Sequence, residues 1–343
     1  MEQRSEQTKT TLRGHRVTVS AIVAAYNEER YIGRCLNALL AQQRMFGSIE
    51  ILVIDGGSTD GTRAIVRSFP EYGTTIRLIE NRRRLQVYAW NIGLRQMCGQ
   101  YYAMLTAHAE YAPDYFEKCL ETLERTGAAA VGGVPRAYGE GRLGRAIAFC
   151  MSSPFGVGNA RFRYLKREEE CDTVPLIFAA RETVQAAGGW DERISFDEDS
   201  DMSYRLRERG GKLVVSPEIG VRYYVRRSLK SLWKQLYQYG YWRRVTQLKH
   251  PQSVPLRVLA PVALLGGLAA SAMLAATPLR PVAAIVPICY AAFMVTGMVC
   301  SVKRVGPSAF CIPAVMATMH AGYGVGYLNA FCRRSARAQR SPA

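Results

Sequence analysis

Ser20-Ala21-Ile22-Val23-Ala24-Ala25-Tyr26-Asn27-Glu28-Glu29 passes in one step from apolar to polar, and Ile51-Leu52-Val53-Ile54-Asp55-Gly56-Gly57-Ser58-Thr59-Asp60-Gly61-Thr62 does the same. Each opens in a continuous apolar, β-branched run, residues 17–25 and 49–54, which reads as a buried strand. Between them Ile32, Cys35, Leu36, Leu39 and Leu40 fall at i, i+3, i+4, i+7 and i+8, one face of a helix. Ser58 and Asp60 suit the start of the next helix through capping and the helix dipole. Outward from this pair, residues 75–79 and 101–105 read as strands, and 86–97 and 113–125 as helices. Strand and helix alternating at this spacing predict an α/β fold, a mostly parallel sheet with helices on both faces. Ligands of such sheets bind at the carboxyl ends of the strands, here just after Ala25, Ile54 and Leu105.

Farther along, residues 142–163 are Gly-rich and read as loop with a short helix, and 174–179 and 212–216 as short strands. Residues 196–209 open with Asp197, Glu198, Asp199 and Asp201 and then turn helical. The chain next changes character. Leu229, Leu232, Trp233, Leu236, Tyr237, Gly240 and Tyr241 form a helical stripe, with Lys230 and Lys234 off it. Such a helix suits a membrane interface, or packing on the preceding domain. Residues 256–276 and 282–302 each have about the ~20 residues a membrane span requires. Residues 309–332 form a third apolar stretch, weakened by His320 and Asn329.

The formal net charge of +17 is unevenly placed. No Asp or Glu follows Glu218, while 16 Lys and Arg do; the first 218 residues hold 29 basic and 28 acidic residues. Cations beside apolar spans indicate anionic lipid. A basic stripe for nucleic acid would lie on a polar domain, so nucleic acid is not an expected partner. The nine cysteines form no Cys-x-x-Cys pair and no zinc spacing, as expected of reduced thiols. Residues 1–16 are polar, without an apolar signal core, so the first domain is expected in the cytoplasm.

A carboxylate at a strand end can accept hydrogen bonds from a ribose or a base N–H, and adjacent glycines let a planar base approach the backbone. Asp-Gly-Gly-Ser alone could equally be ordinary turn chemistry. Glu28 and Asp55, 27 residues apart, are more specific as an ordered pair.

These residues resemble the opening of family-2 glycosyltransferases of the GT-A fold. The resemblance continues through Ala89-Trp90-Asn91-Ile92-Gly93, Gly188-Gly189-Trp190-Asp191-Glu192, Glu198-Asp199 and Tyr204-Arg205-Leu206. Ala107-His108-Ala109 and Met151-Ser152-Ser153-Pro154-Phe155-Gly156-Val157-Gly158 are similar to the succinoglycan-type β-glucosyltransferases within it. The resemblance implies a nucleotide-sugar site at Ala25, Tyr26, Glu28, Asp55, Gly56 and Asn91. It implies Asp199, with Glu198 beside it, as the catalytic pair, Asp199 deprotonating the acceptor hydroxyl. Trp190, Asp191, Gln238 and Trp242 are the implied acceptor residues. The bland alternatives are a solvated helix start for residues 197–201 and a plain membrane-interface role for Trp242.

Two departures stand out. Where the family places Asp-x-Asp to hold Mg2+ or Mn2+ at the diphosphate, this chain has Thr106-Ala107-His108. A hydroxyl is a weak ligand for a hard cation, so Glu110 is a candidate third ligand, and lower metal affinity or loss of activity are the alternatives. His108 could also be a hydrogen-bonded strand-end histidine. The Gln-x-x-Arg-Trp of processive relatives is here Gln238-Tyr239-Gly240-Tyr241-Trp242.

The expected organisation is a polar tail over residues 1–16, a GT-A catalytic domain over 17–225 and an interfacial helix over 226–250. A transmembrane anchor of two to three helices follows over 251–332, with a basic tail over 333–343. The implied activity is inverting transfer of a sugar, with glucose the expected one, from a UDP-sugar to a lipid-linked saccharide. A divalent cation serves as cofactor. Exopolysaccharide assembly on the cytoplasmic face of a multi-pass inner-membrane protein is the expected setting. Membrane lipid and other polysaccharide-assembly proteins are the further expected partners. The alternatives are a polyprenyl-phosphate glycosyltransferase and a catalytically inactive GT-A scaffold.

Overall fold

The computed structural model describes residues 11–12, 15–46, 48–253 and 256–338, with side chains over 19–42, 48–252 and 258–331. Most of the expected N-terminal tail, the side chains of Arg257, Arg333, Arg334 and Arg337, and all of Arg340 lie outside the described residues.

The strands are β1 (Thr11–Leu12), β2 (His15–Ala25), β3 (Ser48–Asp55), β4 (Ile76–Glu80), β5 (Tyr101–Thr106), β6 (Ala109–Tyr111), β7 (Ala130–Tyr138), β8 (Glu169–Glu170), β9 (Phe178–Ala180) and β10 (Leu213–Tyr224). The helices are α1 (Ile32–Phe46), α2 (Thr62–Arg67), α3 (Gln86–Gln96), α4 (Tyr115–Thr126), α5 (Gly141–Met151), α6 (Pro154–Val157), α7 (Arg181–Ala186), α8 (Glu198–Glu208), α9 (Leu229–Lys249), α10 (Ala260–Leu274), α11 (Arg280–Ala283), α12 (Ile285–Val305) and α13 (Ile312–Ala338).

Among the described residues one sheet runs in the order β4-β3-β2-β5-β9-β7-β10-β6, with β1 on β2 and β8 on β10. The first four strands are parallel. β9 then joins β5 and β7 antiparallel, so the sheet is mixed beyond Thr106. Alternate residues of a strand point to opposite faces. Val19, Ala21 and Val23 of β2 pack in one core with Ile32, Cys35, Leu36 and Leu39 of α1. Ile22 points the other way, and α3 approaches it so closely that a Cβ on Gly93 would come within 2.5 Å of its side chain. The two faces are thus covered by helices, as the strand–helix alternation predicts. The described cysteines are free, and burial pushes the Cys35 and Cys119 thiols up, which makes them poor nucleophiles.

Five strands differ from expectation. β1, β6, β7 and β8 are not among the expected strands, and β10 runs on to Tyr224 through Pro217 and Gly220. The segment read as Gly-rich loop is mostly helical, forming α5 and α6.

The chain divides into two compact units, Met1–Val134 with Leu165–Arg222, and Pro135–Tyr164 with Tyr223–Ala343. The stretch 135–164, inside the expected catalytic domain, groups with the C-terminal helices. In this second unit Ala146, Ile147, Cys150 and Met151 of α5 pack with Leu232, Leu236, Ile312, Val315 and Met316. Phe155 stacks near Phe293, and a Cβ on Gly297 would lie 3.2 Å from the Phe155 ring. Helical residues Arg280–Phe331 are long and apolar enough to cross a membrane. The first expected span is shorter than its sequence: its α-helix is α10, 15 residues. At 1.5 Å per residue that is roughly 22 Å, and the 3-10 turn Leu256–Leu259 leading straight into it adds about 8 Å, together about the ~30 Å hydrocarbon core.

Candidate active site

The carboxyl ends of the parallel strands form one edge. Ala25 lies opposite Asp55, Asp55 opposite Glu80, and Ala24 opposite Thr106. The loops leaving β2 and β3 are joined along their length. Asn27 N donates to Ser58 Oγ at 2.9 Å, Glu28 N to Thr62 Oγ1 at 2.7 Å and Glu29 N to Asp60 Oδ2 at 3.1 Å. In return Thr59 N donates to Asn27 Oδ1 at 2.9 Å and Gly61 N to Glu29 Oε2 at 2.7 Å. Asn27 adopts a left-handed φ of 54°, which its short polar side chain tolerates. Much of the polar content of the two motifs is thus spent on fixing one double loop.

Asp55 is fully buried. Its Oδ2 accepts from Gly57 N at 3.0 Å and Ser58 N at 3.1 Å, and Arg63 Nε lies 3.3 Å away. The carboxylate expected to hold the nucleotide therefore shapes its own turn. Gly56 has little room for a side chain: a Cβ there would sit 3.1 Å from the Arg84 carbonyl oxygen and 3.4 Å from the Tyr26 ring. Gly57 has φ +80°. Tyr26 stands beside this turn, 46% exposed, a free ring face at the strand edge.

At the end of β5, Thr106 Oγ1 is 3.0 Å from His108 Nδ1, which is 2.9 Å from Glu28 Oε1. Glu110 pairs with Arg222 at 3.4 Å and Arg34 at 4.0 Å. The structure therefore groups Thr106 and His108 with Glu28. Among the described residues no group of three His, Cys, Asp or Glu could hold a metal ion. Mg2+ is commonly held by one or two carboxylates together with substrate phosphates. Glu28 and His108 fit a divalent cation that arrives with a diphosphate, and fit poorly one held by protein alone.

The acidic segment resolves into separate roles. Asp197 turns the chain into α8 with a left-handed φ of 82°. Asp201 is buried and pairs with Arg205 at 2.8 Å. Trp90 Nε1 lies 3.5 Å from Glu198 Oε1. Burial, and then the charge of Asp199, push the Glu198 carboxyl up to about 8. Asp199 is half-buried, and its Oδ1 accepts from Ser200 N at 2.8 Å.

Asn91 and Trp190 are brought together, but inward. Asn91 Nδ2 donates to the Trp190 carbonyl at 2.8 Å and Trp190 N donates back to Asn91 Oδ1 at 2.8 Å. The Trp190 indole is buried and donates to Tyr102 Oη at 3.0 Å. Neither side chain presents itself to a ligand. Asp191 binds Arg193 through both carboxylate oxygens. Gln238 and Trp242, in the second unit, hydrogen-bond to each other at 3.2 Å. Sequence reasoning missed Trp90 as the partner of Glu198; the two are 108 positions apart, with no local signal.

Known proteins resemble this chain in sequence and fold. The family description Glycosyl transferase family 2 matches residues 20–179, and Glycosyl transferase family group 2 matches residues 175–303. The succinoglycan biosynthesis protein ExoA of Rhizobium meliloti is 28% identical over 244 residues, 71% of this chain and 74% of its own. A Methanococcus voltae dolichyl N-acetyl-alpha-D-glucosaminyl phosphate 3-beta-D-2,3-diacetamido-2,3-dideoxy-beta-D-glucuronosyltransferase is 29% identical over 235 residues, 65% of this chain and 71% of its own. The mannosyltransferase PcManGT of Pyrobaculum calidifontis, solved with GDP-Man and Mn2+, superposes with a TM-score of 0.62 at 19% identity. That match covers 95% of this chain and 92% of PcManGT, which fixes the shared GT-A fold. With two family-2 descriptions together spanning residues 20–303, the chain belongs to glycosyltransferase family 2 and is a glycosyltransferase of polysaccharide or glycoconjugate synthesis.

Proposed function

We propose that this enzyme moves a hexosyl group, glucose being the first to test, from UDP to a hydroxyl of a lipid-linked saccharide. The transfer inverts the anomeric centre and serves exopolysaccharide or other cell-surface glycan assembly. The observation that carries this reading is the Glu198–Asp199 pair. Burial, and then the charge of Asp199, push the Glu198 carboxyl up, which favours its protonated form and makes it the less available base of the two. Asp199 is then the carboxylate left to take the proton of the acceptor hydroxyl. The hydroxyl oxygen attacks the anomeric carbon as the bond to UDP breaks on the opposite face. Tyr26 and the loop held by Asp55 receive the nucleotide. Glu28 and His108 would hold the divalent cation whose charge stabilises the leaving diphosphate.

The relatives support glycan assembly: one is a succinoglycan biosynthesis protein, the other is named for a dolichyl-linked sugar phosphate. The apolar stretch Arg280–Phe331 supports a membrane setting, which we assign to the inner membrane, with the catalytic unit cytoplasmic and polysaccharide-assembly proteins as neighbours. Thr106, a hydroxyl where a carboxylate is expected, favours the second reading, an inactive scaffold. Incubating membranes with radiolabelled UDP-hexoses and lipid extract separates the two. Label entering an extractable lipid-linked saccharide supports transfer. No label from any donor, with or without Mn2+, supports the scaffold. Label on a bare polyprenyl phosphate would identify the lipid phosphate itself as acceptor.

A further inference from the structure

Residues 135–164 and 223–343 carry 20 Lys and Arg and one carboxylate, Glu140. Glu140 faces Arg227 at 3.9 Å. Anions for the other cations must come from outside this unit. At an exposed cation water suffices, but Arg244 is half-buried. Its Nε is shielded from solvent and makes no hydrogen bond among the described residues. Its guanidinium lies 5.2 Å from the Phe331 ring centre and 5.8 Å from that of Tyr327.

One turn along the same face of α9, Gln247 is 3% exposed. Its Oε1 accepts from Tyr327 Oη at 2.6 Å, and its Nε2 is buried without a hydrogen-bond partner. Two shielded donors therefore meet around one tyrosine, with no acceptor supplied among the described residues. The two helices pack closely here. A Cβ on Gly240 would overlap the Tyr323 carbonyl, and one on Gly326 that of Tyr237. Phe331, 58% exposed, leaves one wall open at the end of the membrane-length apolar stretch.

A planar guanidinium fork beside an amide N–H matches phosphate oxygens. The open wall is apolar, which suits a phosphate carried on a hydrocarbon chain. We infer that Arg244 and Gln247 bind the phosphate of a membrane lipid, entering past Phe331. This rests on the membrane-bound, lipid-using reading above and adds to it the site that seats the lipid's phosphate.

The test is equilibrium binding by the full-length protein in maltoside detergent, with farnesyl phosphate, phosphatidylglycerol, inorganic phosphate and farnesol as separate probes. One or both lipid phosphates should bind more tightly than inorganic phosphate or farnesol, and which of the two does so identifies the source. Arg244→Gln should weaken that binding about tenfold or more, the scale of a charge-assisted bond. Gln247→Leu should weaken it severalfold, and Arg244→Lys, which keeps the charge and loses the fork, should fall between wild type and Arg244→Gln. Arg243→Gln should leave it unchanged. UDP affinity and melting temperature, measured on the same samples, should not move in any variant, which together report that both units are intact. Lipid-phosphate binding by Arg244→Gln within twofold of wild type would overturn the inference, as would inorganic phosphate binding as tightly as either lipid. Sugar transfer is no part of this readout, so failure of the donor assignment and failure of this site remain distinguishable.

Discussion

Across the carboxyl ends of β2 and β5, the Glu28 carboxylate lies 2.9 Å from the His108 imidazole, joining two loops 80 positions apart. Thr106 Oγ1 completes the group at 3.0 Å from the same ring nitrogen. One carboxylate here, where two are expected, should make activity depend on relatively high divalent-cation concentrations. Thr106→Asp adds the second. The Mn2+ concentration for half-maximal activity should then fall severalfold, since charge count tunes the affinity of oxygen sites. A wild type already saturated at micromolar Mn2+, with no gain in the variant, would show that another ligand set suffices.

Asp55 acts through the turn it holds. Asp55→Ala leaves Gly57 N and Ser58 N without their acceptor and Arg63 without its partner. UDP affinity should drop by about 1.5–3 kcal/mol, the scale of hydrogen bonds to a charged group. Calorimetry on the folded variant checks this, and an unchanged affinity would remove the turn from the nucleotide site.

The first four strands and the helices between them were legible because each run is short, apolar and ended by turn residues. β7 was hidden by Gly132, Gly133 and Pro135, which read against a strand. Those glycines mark close approach of backbones: a Cβ on Gly132 would lie 2.5 Å from the Pro175 carbonyl oxygen, and one on Gly133 would overlap that of Ile219. The motifs after Ala25 and Ile54 lie at the carboxyl ends of β2 and β3, yet which of their residues face a ligand was not readable. Asn91 and Trp190 lock to each other across 99 positions, and a motif records that residues belong together without recording which face ligand. The pairing of Glu28 with His108 joins loops 80 positions apart, which only the folded chain brings together.

Glu198 gives stability a definite pH dependence. Its folded pKa, raised to about 8 from the ordinary 4.5, makes the folded state bind more protons than the unfolded state between those values. Its contribution is therefore full below about 4.5 and is lost as pH rises toward about 8. Glu198→Gln keeps an acceptor for Trp90 Nε1 and cannot ionise. Relative to the variant, wild type should lose thermal stability from pH 5 to pH 8, and parallel melting temperatures across that range would show that Glu198 is not held protonated.

Membrane topology follows from how α9 and α13 pair. Trp233 meets Gly322, Tyr237 meets Gly326, and Arg244 meets Phe331, so the two helices run side by side in the same direction. α9 carries Lys230, Lys234, Arg243, Arg244 and Lys249, too many cations to lie in hydrocarbon. α13 should therefore rest at the interface with it, and the C-terminus should stay on the side of the catalytic unit. A fluorescent protein fused after Ala343 should be bright, and alkaline phosphatase fused there should be silent. Active phosphatase would mean that α13 crosses.

The most direct measurement compares wild type with Asp199→Asn in sugar transfer from radiolabelled UDP-hexose to lipid-linked saccharide, with UDP affinity measured alongside. Asparagine keeps the shape of the side chain and cannot take a proton. Transfer should fall by roughly 10²-fold or more, the scale of general-base catalysis, while UDP affinity holds. Transfer within a few-fold of wild type would contradict Asp199 as the base, and a wild type that labels no lipid from any donor would contradict the transferase reading itself.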